Sequence, residues 1–298
     1  MRRNSSFEED LQRCPGWYLA CPFLSTMRLR AGAATDTGLV RKLNEDVYIA
    51  HVDQGLFLVC DGMGGAPEGE VASKIAAETI LEELSRTSTQ RTTPPTNGEQ
   101  QYLPQTNRLA EAVRRSNHAV YHHAQEDPAR AGMGTTMVGV WMSKHIASVA
   151  HVGDSRAYLW HNGELVPLTR DHSLVEAHIS AGILDRQESL QSSQQNILLR
   201  VLGLESEVDV ELNEVPMQPG DFLLLCSDGL TREVEDSALS RAICELRHPQ
   251  QICDFLVAAA NGNGGADNIT VVAIEVRSSL PRRVFHQLRQ LTTGGARA

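Results

Sequence analysis

Two segments of the chain rhyme. Leu56-Phe57-Leu58-Val59-Cys60-Asp61-Gly62 and Phe222-Leu223-Leu224-Leu225-Cys226-Ser227-Asp228-Gly229 are each a nearly continuous apolar run ending in an Asp-Gly step. Such runs read as strands buried on both faces, and each delivers a carboxylate at its end. Asp267 stands just ahead of another β-branched run, in Gly265-Ala266-Asp267-Asn268-Ile269-Thr270, and the pair Glu45-Asp46 precedes a fourth. Taken singly, Asp-Gly and Asp-Asn are ordinary turn formers. Asp61-Gly62-Met63-Gly64-Gly65, however, holds more glycine than a two-residue turn needs, and such a loop lets backbone carbonyls approach a ligand closely. Carboxylates gathered at one sheet edge repel one another unless cations sit between them. Oxygen ligands without His or Cys neighbours favour Mg²⁺ or Mn²⁺ over zinc. One carboxylate bridging two such ions is the arrangement of a two-metal hydrolytic site.

The elements that must position these acids follow from periodicity. Runs rich in β-branched and apolar residues predict strands at 47–50, 56–60, 137–142, 147–152, 157–160, 208–212, 222–226 and 269–276. Ala72, Ile75, Ala76, Thr79, Ile80 and Leu84 fall on one face of a helix. Leu109, Ala112, Val113, Val120 and Tyr121 repeat that spacing, and 238–246 and 250–260 also read as helices. Between the first two helices, 85–107 is rich in Thr, Gln and Pro and reads as an exposed loop. Strands mixed with a few long helices, without strict alternation, predict an α+β sandwich in one domain. The expected boundaries are a loosely structured extension over 1–28, the domain over 29–277, and a basic tail over 278–298. That tail carries Arg282, Arg283, Arg289 and Arg297 and reads as a solvated end.

Composition removes several classes of function. The 298 residues carry a formal net charge of −10, which argues against nucleic acid as the main partner. No apolar run approaches the roughly 18–20 residues of a membrane span. Glu8, Glu9 and Asp10 precede the first short apolar stretch, so no secretory signal is expected. The six cysteines show no CxxC or zinc-like spacing. A cytoplasmic protein fits best.

These residues carry a resemblance. Arg41-Lys42-Leu43-Asn44-Glu45-Asp46 resembles the RxxNED element of the metal-dependent protein phosphatases, the PPM or type 2C class, in its bacterial form. Asp61-Gly62-Met63-Gly64-Gly65 is similar to that family's DGMGG signature, Gly134-Thr135-Thr136 to its GTT step, and Val152-Gly153-Asp154-Ser155-Arg156 to its VGDSR strand end. Leu168-Thr169-Arg170-Asp171-His172 resembles LTxDH, Ser227-Asp228-Gly229-Leu230 resembles SDGL, and Asp267-Asn268-Ile269-Thr270 resembles DNxT. The seven stand in family order over about 28–277.

The resemblance implies a four-layer αββα sandwich, two antiparallel sheets packed face to face with helices on both outer faces. It implies hydrolysis of phosphoserine and phosphothreonine in proteins by a water activated between two Mn²⁺ or Mg²⁺ ions, opposing a cognate Ser/Thr kinase. Asp61 would bridge both ions and the Gly62 carbonyl would ligate the second. Asp228 and Asp267 would hold the first, and Glu45 and Asp46 would act near the second or through its waters. Arg41 would bind the substrate phosphate, and Asp154 would help hold a weaker third ion. Met63 is a departure: many eukaryotic relatives place a histidine there, proposed as general acid, so no side chain is nominated for that role.

Residues 173–202 occupy the position of the family's flap. His172 reads as structural, and His118, His122 and His123 as an exposed helix face, since residue 119 is Ala rather than the Glu of a metalloprotease motif. The alternatives to an active phosphatase are a catalytically silent binding module of the same fold and a hydrolase for small phosphoesters. Substrate, kinase and oligomeric state are not legible in the chain.

Overall fold

The computed structural model of the chain describes residues 27–64, 68–86, 101–185, 194 and 197–279. The N-terminal extension up to residue 26, the middle of the 85–107 connection, part of the flap and the basic tail from residue 280 lie outside the described residues.

The strands are β1 (Met27–Asp36), β2 (Asp46–His51), β3 (Leu56–Met63), β4 (Gly134–Thr135), β5 (Met137–Ser143), β6 (Ile146–Val152), β7 (Arg156–His161), β8 (Glu164–Pro167), β9 (Glu211–Pro216), β10 (Phe222–Cys226) and β11 (Ile269–Ser278). The α-helices are α1 (Glu68–Ser85), α2 (Pro104–Gln125), α3 (Leu174–Ser180), α4 (Asp228–Thr231), α5 (Asp236–Leu246) and α6 (Pro249–Asn263). One sheet has the order β1-β11-β10-β7-β8 and the other β2-β3-β5-β6-β9, with β4 paired to the end of β3. Every ladder is antiparallel.

The continuous apolar runs are explained by what lies on each side of them. Phe57 and Val59 of β3 meet Leu223 and Leu225 of β10 and Val272 and Ile274 of β11 between the sheets. Their neighbours Leu56, Leu58 and Cys60 pack on the other face against Ile80, Leu109 and Val113 of α1 and α2. Leu224 and Cys226 likewise face Ile252 and Leu256 of α6. Full burial of one such side chain is worth about 1.5–3 kcal/mol, so both faces of these strands are driven inward. The result is the expected four layers, helices–sheet–sheet–helices.

The structure departs from the sequence reading at the edges. The domain's first strand begins at Met27, inside the segment read as an extension, and β11 runs to Ser278. β1 is an edge strand carrying Arg28 and Arg30 and is mostly half-buried, so it lacks the apolar signature of the central strands. The strand expected at 208–212 is instead Glu211–Pro216. Val208 and Val210 pack against the helical side of the core without joining the ladder on β6. The 85–107 loop ends early, because Pro104 opens α2 at a first-turn position where proline costs no hydrogen bond. β8 and the short α3 and α4 were not anticipated. Among the described residues, no helix is long and apolar enough to cross a membrane.

Candidate metal centre

All of the singled-out acids reach one edge of the sandwich. Asp61 lies near the end of β3, Asp46 opens β2 directly across from it, and Asp154 follows β6. From the other sheet, Asp228 follows β10 as the first residue of α4, and Asp267 precedes β11. Antiparallel pairing with chain-end turns does this: a strand's finish and its partner's start share an edge. Glu45, Asp61, Asp154, Asp228, Asp267 and Arg41 line one open cavity of about 570 Å³, together with Gly62, Met63 and Arg232.

Small polar residues fix this edge. The Asp61 N–H donates to Thr136 Oγ1 (3.1 Å), and the Asp61 carbonyl accepts from the Thr136 N–H (2.9 Å) and Thr135 Oγ1 (2.9 Å). Thr136 Oγ1 lies 2.7 Å from Ser155 Oγ, so the turn carrying Asp154 is tied to the strand carrying Asp61. Gly153 has φ +112°, and a Cβ there would stand 2.6 Å from the Thr136 Cβ. Asn268 joins the sheets: its Nδ2 donates to the carbonyls of Thr37 and Leu43, and its Oδ1 accepts from the Glu45 N–H (2.8 Å). Ser227 Oγ donates to Asp46 Oδ2 (2.7 Å). Asp46 is therefore held between the sheets, 7% exposed, while Glu45 faces the cavity.

The electrostatics of the group are those of crowded acids. Burial first, then the charges of Asp46, Asp228, Asp154 and Asp267, push Asp61 well above the usual carboxylate range. Burial raises Asp228 too, with Arg232 opposing it. Asp46 and Asp154 are each pushed up to about 7, chiefly by burial. Glu45 is raised by burial against the pull of Arg41. Among the described residues, Asp46 Oδ1 and Glu45 Oε1 are buried without a hydrogen-bond partner. Five acidic side chains face three basic ones around the cavity, and two divalent cations would reverse its sign. The donors are all oxygens, which fits hard divalent ions.

Arg41, half exposed, donates from Nη2 to Asp267 Oδ2 at 2.8 Å. Arg232, which the sequence reading did not single out, reaches Asp228, Asp154 and Asp267 together. Its signal was available: it lies four residues after Asp228 and so on the same face of one helical turn. The Arg and Asp of the VGDSR and LTRDH elements bind each other instead. Arg156 donates bidentately to Asp171, at 2.8 Å and 2.6 Å, beside the cavity rather than within it.

His172 locks the turn next to Asp154. Its backbone N–H donates to the Gly153 carbonyl (2.7 Å), and the Gly153 N–H donates back to His172 Nδ1 (3.2 Å). The ring proton is thereby left on Nε2, 3.1 Å from Glu211 Oε2. His151, His172 and Glu211 have ligand atoms within 4.8 Å of one another, yet this tautomer leaves His172 no lone pair for a metal. His151, 1% exposed and with no hydrogen-bond partner at either ring nitrogen among the described residues, is lowered to about 4 by burial and by His172.

A group depressed on folding stabilises above its unfolded pKa, here about 6.5, and that stability is lost as pH falls toward 4. The stability of the native chain relative to His151→Leu is therefore expected to drop by about 2–3 kcal/mol between pH 7 and pH 4. Urea unfolding of both proteins across that range measures it, and a pH-independent difference would contradict the assignment.

The sequence and the fold have counterparts among known proteins. The family model described as protein phosphatase 2C matches residues 40–264. The serine/threonine phosphatase stp of Listeria welshimeri is 35% identical over 250 residues, 83% of this chain and 96% of that one. The crystal structure of the Mycobacterium tuberculosis serine/threonine phosphatase PstP/Ppp superposes with a TM-score of 0.74 at 31% identity, covering 84% of this chain and 99% of that one. A structure of the PstP catalytic domain in complex with two manganese ions gives 0.72 at 31% identity, over 85% of this chain and all of that one.

Proposed function

The chain belongs to the protein phosphatase 2C family, and we propose that it hydrolyses phosphoserine and phosphothreonine in proteins with Mn²⁺ or Mg²⁺ held at the acidic edge. It is a metal-dependent serine/threonine phosphatase, like the relatives named above. The observation that carries the reading at this site is the convergence of Asp61, Asp228 and Asp267 on one cavity with no neutralising His or Cys.

Asp61, which interacts with Asp46, Asp154, Asp228 and Asp267, would be the ligand common to both ions, with the Gly62 carbonyl beside it. Asp228 and Asp267 would hold the first ion from the opposite sheet. Glu45 would serve near the second or through its waters, as would Asp46, whose link to Ser227 stiffens that side. What the ion pair supplies when bound is Lewis acidity, acidifying a water enough to attack phosphorus and neutralising phosphoryl oxygens. Arg41 then turns from Asp267 to the substrate phosphate, which its planar fork can grip at two points. The leaving oxygen takes its proton from solvent in this scheme, since Met63 offers none. A third, weaker ion beside Asp154 is the remaining expectation of the resemblance and is taken up below. Partners are phosphorylated proteins and a cognate Ser/Thr kinase, in the cytoplasm.

Purified chain should release inorganic phosphate from a phosphothreonine peptide when Mn²⁺ is supplied, with at least about 10³-fold less release after metal stripping and in EDTA. Undiminished release from stripped protein would refute the metal reading. Metal-dependent release from an aryl phosphate but not from the peptide would favour the small-phosphoester alternative.

A further inference from the structure

Arg232 lies where a cation is wanted. It caps the C-terminus of α4, one turn beyond Asp228, and its backbone N–H donates to the Asp228 carbonyl (2.9 Å). Its Nη2 contacts Asp228 Oδ2 and stands 4.0 Å from Asp154 Oδ2, while Nη1 is 3.8 Å from Asp267 Oδ2. The guanidinium thus spans three acids from separate loops of the two sheets, Asp154 after β6, Asp228 after β10 and Asp267 before β11, with Nη2 shared between the first two.

On the two-ion reading given above, Asp61, Gly62, Asp228 and Asp267 are engaged by the core pair. Asp154 remains, an almost buried acid beside Asp228 with no ion of its own. Two carboxylates that close need positive charge between them. A solvated divalent ion could supply it, but only with few protein ligands and most of its waters retained, which makes for weak binding. Arg232 competes as a tethered cation: its effective concentration is set by one helical turn and does not depend on the medium. Its flat fork also suits two carboxylate oxygens at once.

We propose that Arg232 is a built-in third cation, seated between Asp154 and Asp228, so that this chain binds two divalent ions where a third would otherwise enter. The inference rests on the two-ion reading. It makes Arg232 a positioning residue: it holds Asp154 and the outer oxygen of Asp228 while the core ions occupy the rest. It also removes one dependence on ambient metal, since the charge beside Asp154 is encoded in the chain.

The test is a Mn²⁺ titration of the stripped full-length chain, followed by the electron paramagnetic resonance signal of free Mn²⁺ and by calorimetry. The native chain should bind two ions. Arg232→Ala should bind three, the third at higher Mn²⁺ than the others, and adding Asp154→Asn to it should return the count to two. Arg232→Lys, which keeps a tethered charge, should stay at two. Should Arg232→Ala fail to fold, Arg232→Gln, closer in length, must show the third ion. A native chain that binds three ions would overturn the proposal. So would an uncharged variant that stays at two while its KM for phosphopeptide rises several-fold, because Arg232 would then be a phosphate ligand. A native chain binding fewer than two ions would refute the underlying two-ion reading, whatever Arg232 does.

Discussion

Asp61→Asn is expected to lower phosphopeptide turnover by at least about 10³-fold, some 4 kcal/mol of transition-state stabilisation. Asparagine keeps the volume and the backbone, so the clamp by Thr135 and Thr136 persists and the strand end stays in place. What is lost is the negative charge at the centre of the acids, which on the proposed reading is the ligand shared by both ions. The same substitution should leave the metal-free chain as stable as the native one or more so. Burial and four neighbouring acids already hold Asp61 far above its usual range, so its ionised form is a cost in the empty site. The sign follows: a raised carboxyl stabilises at low pH, and that contribution disappears as pH rises through its folded value. Thermal melts in EDTA should therefore show the largest advantage of the variant at alkaline pH. A variant retaining a tenth of native turnover would show that Asp61 is not the bridge.

The central strands and the main acids were legible in the sequence for one reason. A strand buried on both faces must be apolar throughout, so a carboxylate at its tip stands out. Leu56–Met63 and Phe222–Cys226 are of this kind. The peripheral elements were not legible, because edge strands need only half a hydrophobic pattern and short helices need none. Met27–Asp36 is held by its ladder to β11 and by Thr35 Oγ1 bonding Thr270 Oγ1 at 2.7 Å, neither visible in local composition. Arg232 was missed for a related cause. An arginine on a four-residue helix looks like surface charge until Asp154 and Asp267, distant in sequence, are brought beside it.

Strands with two apolar faces also raise a question of register. A slip by one residue would exchange one buried face for another and would expose no polar side, so hydrophobicity alone specifies the pairing weakly. The strand ends supply what the faces lack. Thr136 with Asp61, Ser227 with Asp46, and Asn268 with Leu43 and Glu45 are polar pairs that a slip would break at once. The Ser227–Asp46 bond is buried, so breaking it would leave an unsatisfied group worth about 1–3 kcal/mol. The short polar motifs beside the acids thus set the geometry of the sheets as well as that of the site.

Gly62→Ala should damage stability and activity together through a single added methyl group. A Cβ at Gly62 would fall 2.1 Å from the Gly69 carbonyl oxygen and 2.6 Å from that of Glu45, so backbone blocks it on two sides. No flexible side chain can yield there. Either the first turn of α1 moves away from β3, or the end of β3 bends and takes the Asp61 carboxylate and Gly62 carbonyl with it. Overpacking of this kind costs about 1–3 kcal/mol, or more where only backbone can move. At roughly 2–4 °C per kcal/mol for a chain of this size class, melting should fall by about 2–12 °C. Activity should fall by more than that loss accounts for, on the order of 10²-fold at a temperature where the variant is still folded, because a displacement near 1 Å disrupts the ligand geometry. Gly262→Ala is the control: it lies inside α6 with nothing within 4 Å of the added methyl, and there alanine favours the helix by up to about 1 kcal/mol. Native melting and turnover in Gly62→Ala would mean that α1 can retreat freely, and that the carbonyl of residue 62 does not depend on the close contact between β3 and α1.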